Sequence, residues 1–124
     1  MVNASKDLLA QLTEFVETAA TPLAKVTKRR MFGCDGFFAG GSIFGLIWKA
    51  GRIGVRLPDA ALYDELIATR GAGPWMAGAM KMSHWVLVPE AFHDDDAALA
   101  KWIRKAHVLA MSAPVKKTKP KKKR

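Results

Sequence analysis

The sequence predicts an α+β domain, an antiparallel β-meander sheet flanked by helices. Three observations carry this. A stripe of apolar residues near the N-terminus repeats at the helical period. Residues 25–57 read as short strands separated by glycine turns, and a second helical stripe closes the chain before Pro114. At 124 residues, half of them hydrophobic and a quarter charged, the chain has the length and composition of one globular domain able to bury a core without disulfides or metals.

The first helix is defined by Leu8, Leu9, Leu12, Phe15, Val16 and Ala19, which share one face at 3.6 residues per turn. Ser5 is its expected N-cap, Asp7 suits the positive end of the helix dipole, and Thr21-Pro22 ends it. Lys25 to Phe32 then forms a strand whose four basic residues place it at an edge or half exposed. Gly33 to Gly36 is expected as a turn, Phe37 to Ala39 as a short strand, and Gly40-Gly41 as a two-residue hairpin turn. Ile43 to Trp48 is apolar on both alternating faces, as a central strand covered on each side would be. After a turn at Ala50-Gly51, Arg52 to Leu57 alternates cleanly, with Ile53, Val55 and Leu57 on one face.

Pro58 and Asp59 open a second, short helix whose stripe is Leu62, Tyr63, Leu66 and Ile67. Residues 71–80, GAGPWMAGAM, have no period and are read as an ordered loop anchored by Trp75 and Met76. Lys81 to Val88 is a further strand. The last helix follows Asp94-Asp95-Asp96 and buries Leu99, Trp102, Ile103, Ala106, Leu109 and Ala110. The folded domain is thus expected over residues 1–114, with 115–124 as a disordered Lys-rich tail.

The net charge of +9 is unevenly placed. Lys116, Lys117, Lys119, Lys121, Lys122, Lys123 and Arg124 provide seven cations with no acid among them. The other 114 residues carry thirteen Lys and Arg against eleven Asp and Glu. The tail is therefore the expected nucleic-acid-binding segment, engaging phosphates by counterion release without sequence specificity. A solubilising tail is the bland alternative. A single cysteine, no apolar run near the ~20 residues of a membrane helix, and an N-terminus with acids where an export signal would be apolar all point to a cytoplasmic protein without a membrane partner.

Reaction chemistry is sparse. Cys34 has no histidine near it in sequence, and it is read as an inert thiol despite the neighbouring Arg29 and Arg30. His84, His93 and His107 form no ligand motif, and the acids after His93 read as a helix start, so neither a metal nor a cofactor is expected. His107 is expected at the surface or the core edge. The glycines fit neither phosphate-loop pattern. Phe37, Phe38, Phe44, Trp48 and Trp85 could form a base-stacking platform but are read as core, because helices at both ends need a sheet face to pack on. No enzyme class is supported.

Arg30, Met31, Phe32 and Gly33, the hairpin Phe38, the strand-end Arg56, and Met80, Lys81 and Trp85 occur in an order that resembles the TfoX/Sxy N-terminal domain family of competence regulators. The likeness spans roughly Leu8 to Met111, with Cys34 where the family usually has a second glycine. It implies the order α-β(3)-α-β(2)-α, an association with transcriptional regulation, a transcription-factor protein as a possible partner, and no active site. Together with the tail it gives the expected function: a non-enzymatic regulatory module that contacts protein and holds to DNA by charge. The alternative is a small-ligand or peptide-binding domain with a solubilising tail. An open meander edge would also permit a homodimer.

Overall fold

The computed structural model describes residues 5–31 and 33–112; of these, the side chains of Met31 and Ala77 are not described. Helix α1 (Lys6–Ala20) leads into four strands, β1 (Val26–Met31), β2 (Cys34–Ala39), β3 (Ser42–Trp48) and β4 (Arg52–Arg56). Helix α2 (Ala60–Ile67), strands β5 (Gly73–Ala77) and β6 (Met80–Leu87), a 3-10 turn (Glu90–Asp94) and helix α3 (Asp96–Ser112) complete the order. The six strands make one antiparallel sheet in the order β1-β2-β3-β4-β6-β5. The α+β class and the meander are as expected. Four strands precede α2, however, where the family order implied three.

The helix ends follow their sequence signals. The Ser5 hydroxyl accepts from Leu8 N at 3.1 Å, Asp59 Oδ1 from Leu62 N at 3.0 Å, and Asp95 Oδ1 from Ala98 N at 3.1 Å, each satisfying an otherwise orphaned N–H. Gly40 and Gly41 have φ of +58° and +92°, the left-handed pair that a two-residue hairpin turn requires.

Two readings change. Cys34 to Gly36 is not a turn but the first half of β2, paired with Met31, Arg30 and Arg29. The loop expected over 71–80 contains β5 and the start of β6, joined by a tight turn at Gly78 and Ala79. Its period was hidden because pairing shifts between Pro74 and Met76, which breaks the alternation.

A similar irregularity explains why Ile43 to Trp48 is apolar throughout. Phe38 pairs with Ile43 but Phe37 with Gly45, so Phe44 is an extra residue bulging from β3. The bulge resets the alternation. Phe44 and Ile47 join the larger core with Leu12 and Val16 of α1, Leu66 of α2, and Leu99, Trp102, Ile103 and Ala106 of α3. Leu46 and Trp48 turn to the other face, where they meet Cys34, Trp75, Trp85 and Leu87. The three described helices thus serve one face, and among the described residues the second face is closed by its own side chains.

Candidate functional site

Between α1 and strands β1 and β2 lies an open groove of about 660 Å3, lined in part by Lys6, Glu14, Glu17, Lys28, Arg30 and Asp35. Antiparallel pairing turns alternate residues of β1 toward α1, so Lys28 and Arg30 face it while Arg29 points to the opposite side. Lys28 Nζ lies 2.9 Å from Glu17 Oε2, and this hydrogen bond raises the lysine's pKa above its ordinary 10.5. Arg30 Nη1 donates to Asp35 Oδ1 at 3.2 Å, and its Nη2 donates to the Gly33 carbonyl at 3.0 Å. The Thr13 hydroxyl sits 2.9 Å from the Leu9 carbonyl and 3.2 Å from Asp35 Oδ2, sharing one proton between them. Both Asp35 oxygens are therefore engaged in tying β2 to β1 and α1.

Cys34 is 4 % exposed and packs with Leu46, Trp75, Trp85 and Leu87. Burial pushes its pKa above the ordinary 9.0, outweighing the opposing pull of Arg30. At neutral pH the group is a thiol, which is a poor nucleophile.

On the second face, the Trp75 ring meets Trp48 at 5.2 Å and Trp85 at 5.1 Å, both edge-on. Trp48 and Trp75 belong to strands separated by β4 and β6, about 14 Å apart in a flat sheet at ~4.8 Å per strand. The ring centres nonetheless lie 5.2 Å apart, so the two indoles lean toward each other across β4 and β6. Gly54 lies beneath them: a Cβ there would already stand 3.4–3.5 Å from Leu46, Leu87 and Trp85. Nearer the β1 edge, the Arg29 guanidinium lies 4.3 Å from the centre of the Phe38 ring.

The structure divides the aromatic set considered for stacking. Phe37 and Phe44 are in the helix-covered core, Trp85 is buried in the second cluster, and Phe38 and Trp48 remain half-buried on the second face. Trp75, 1 % exposed, is the residue that binds this cluster together.

The family-motif residues fall in three places. Arg30 and Gly33 (φ +76°) build the β1–β2 turn, which Met31 enters and in which Phe32 lies outside the described residues. Arg56 pairs with Trp85 across β4 and β6. Met80, 66 % exposed, and Lys81 stand on the β5–β6 hairpin at the far side of the sheet. The motif does not converge on one site. The tail residues Lys116, Lys117, Lys119, Lys121, Lys122, Lys123 and Arg124, and the boundary at Pro114, lie outside the described residues.

Two polar residues have roles that the sequence did not announce. Arg52 Nη2 donates to the Gly71 carbonyl at 2.9 Å and the Val88 carbonyl at 2.8 Å, fastening the approach to β5 onto the end of β6. His107 is buried, contrary to the surface or core-edge expectation. Its Nε2 lies 2.7 Å from the Ala24 carbonyl, which can only accept, so Nε2 carries the proton. The same ring meets Phe44 of β3 edge-on at 5.6 Å, so His107 ties α3 both to the sheet and to the segment before β1. No sequence signal marks this histidine beyond its place near the apolar stripe of α3.

Among the described residues, no helix is long and apolar enough to cross a membrane, and no three His, Cys, Asp or Glu side chains come together to hold a metal ion. No curated protein matches the chain. The family model for the TfoX N-terminal domain matches residues 18–110, most of the chain and every strand of the sheet. The chain belongs to the TfoX N-terminal domain family.

Proposed function

We propose that this chain is a non-enzymatic, cytoplasmic regulatory module related to the TfoX competence and transcription regulators. Its folded domain contacts a protein partner, of which a transcription factor is the leading kind, and its Lys-rich terminus attaches to DNA by charge. The observation that carries this reading is the separation of charge in a TfoX-family chain: seven cations in residues 116–124 beside a nearly balanced body. Such a segment binds phosphates without reading bases, and its affinity falls steeply with salt.

The test is gel-shift binding of duplex DNA by the full chain and by a chain ending at Pro114, from about 50 to 200 mM salt. The full chain is expected to bind at low salt and to weaken over the series, and the shortened chain to bind far less. Equal binding by both, or none by either, would remove the tail from the function. The alternative, a small-ligand or peptide-binding domain, draws support from the groove of about 660 Å3 beside α1. Ligand-induced thermal shifts lost on filling that groove, as by Ala10→Trp, would favour it.

A further inference from the structure

We propose that strand β1 carries a second phosphate-binding strip, built on Lys25 and Arg29, that acts together with the tail on the backbone of nucleic acid. This rests on the tail-attachment reading above and adds a folded component to it.

The placement of α3 is the first support. Its last turn ends beside the start of β1: His107 bonds to the Ala24 carbonyl, Gly40 N donates to the Lys25 carbonyl at 3.3 Å, and a Cβ on Gly40 would meet Met111 Sδ at 3.5 Å. Helix α3 ends one residue later, at Ser112. The end of α3 at Ser112 therefore lies at the corner of the sheet where β1 begins, although Ser112 follows Lys25 by 87 positions in the sequence.

The charges on β1 are the second support. Residues 25–31 contain Lys25, Lys28, Arg29 and Arg30 and no acid, and all four are exposed. Glu17 matches Lys28 and Asp35 matches Arg30. No carboxylate pairs with Lys25 or Arg29 among the described residues. The Arg29 guanidinium rests on the Phe38 ring at 4.3 Å, which partly orders the side chain and lowers the further ordering needed when an anion arrives. Lys25 sits at φ +60°, a strained left-handed conformation for a non-glycine residue.

The edge itself is the third. Among the described residues β1 has a strand on one side only, so alternate backbone N–H groups along it also face outward. Six residues at ~3.3 Å span about 20 Å, over which duplex DNA carries roughly twelve phosphates at one per ~1.7 Å. A second copy of the chain fits this edge poorly, because pairing β1 with itself would set like charges opposite each other.

The experiment measures how the affinity of the full chain for a 20-bp duplex depends on salt, by fluorescence anisotropy. Three proteins are compared with the natural one: Lys25→Gly with Arg29→Gln, Arg29→Lys alone, and a full-length chain with the seven tail cations replaced by glutamine. Lys25→Gly removes a charge while relieving the left-handed strain, and the thermal midpoint of each protein is recorded. The double variant is expected to lower the slope of log affinity against log salt by about 1.8, at ~0.9 per lost phosphate contact. Arg29→Lys should keep the slope, and the glutamine tail should lower it further than the double variant does. An unchanged slope in a folded double variant would overturn the β1 strip and leave the tail reading standing. Absence of binding by the natural chain would overturn both. Equal competition by polyglutamate at matched charge would overturn the strip as a nucleic-acid site in favour of an acidic protein segment.

Discussion

The two edges of the sheet are built on opposite principles. β1 is held by polar contacts at the surface: Lys28 to Glu17, Arg30 to Asp35 and the Gly33 carbonyl, Arg29 over Phe38. β5 is held by a buried aromatic ring, Trp75 wedged between Trp48 and Trp85, and by Arg52 fastening the chain that leads into it. The contrast separates stability from binding. The aromatic contacts at β5 are desolvated and hold the fold, whereas the polar contacts at β1 are exposed, individually weak and open to exchange with an anion.

The largest effect that would sharpen this contrast is at Trp75. Trp75→Ala should cost about 3–5 kcal/mol, the range for deleting a buried large aromatic, measured by urea unfolding. A loss below about 1 kcal/mol would mean that the aromatic face is not a true core. Next is Arg52→Ala, which removes charge-assisted bonds to the Gly71 and Val88 carbonyls; a cost of about 1.5–3 kcal/mol is expected. Hydrogen exchange should also speed up at residues 71–77 before it does elsewhere.

A smaller effect is read from pH. Burial raises the Cys34 pKa, so the unfolded chain loses the thiol proton first as pH rises. Stability from this group is then complete below about pH 9.0 and declines above it, through the folded value. Cys34→Ala should flatten that alkaline decline, and the natural thiol should react slowly with alkylating reagents at neutral pH. The smallest effects belong to β1. Lys28→Gln and Arg30→Gln should each cost about 1 kcal/mol or less, as exposed ion pairs do. A larger cost would show that this edge too is structural.

How much of this could be read from sequence follows the same division. The helices were legible because their stripes and caps are local: Ser5, Asp59 and the α3 stripe behave as their residue types dictate. The family motif identified the fold. β5 was not legible, since a shifted pairing between Pro74 and Met76 in a glycine-rich stretch erases the period-two signal. Nor could the aromatics be sorted, because the Phe44 bulge flips the faces on which Leu46 and Trp48 lie. His107 and Arg52 act through contacts 83 and 36 residues away, which no local pattern encodes. The tail's charge was visible at once, but the approach of the last turn of α3 to Lys25 depends on how α3 packs against the segment before β1.

Hydrogen exchange read by mass spectrometry, on the full chain with and without a saturating 20-bp duplex at low salt, tests the contrast between the edges most directly. Protection on binding is expected over residues 25–31 and not over residues 73–77. Protection at β5 and none at β1, with DNA bound, would contradict the assignment of binding to the basic edge and stability to the aromatic one.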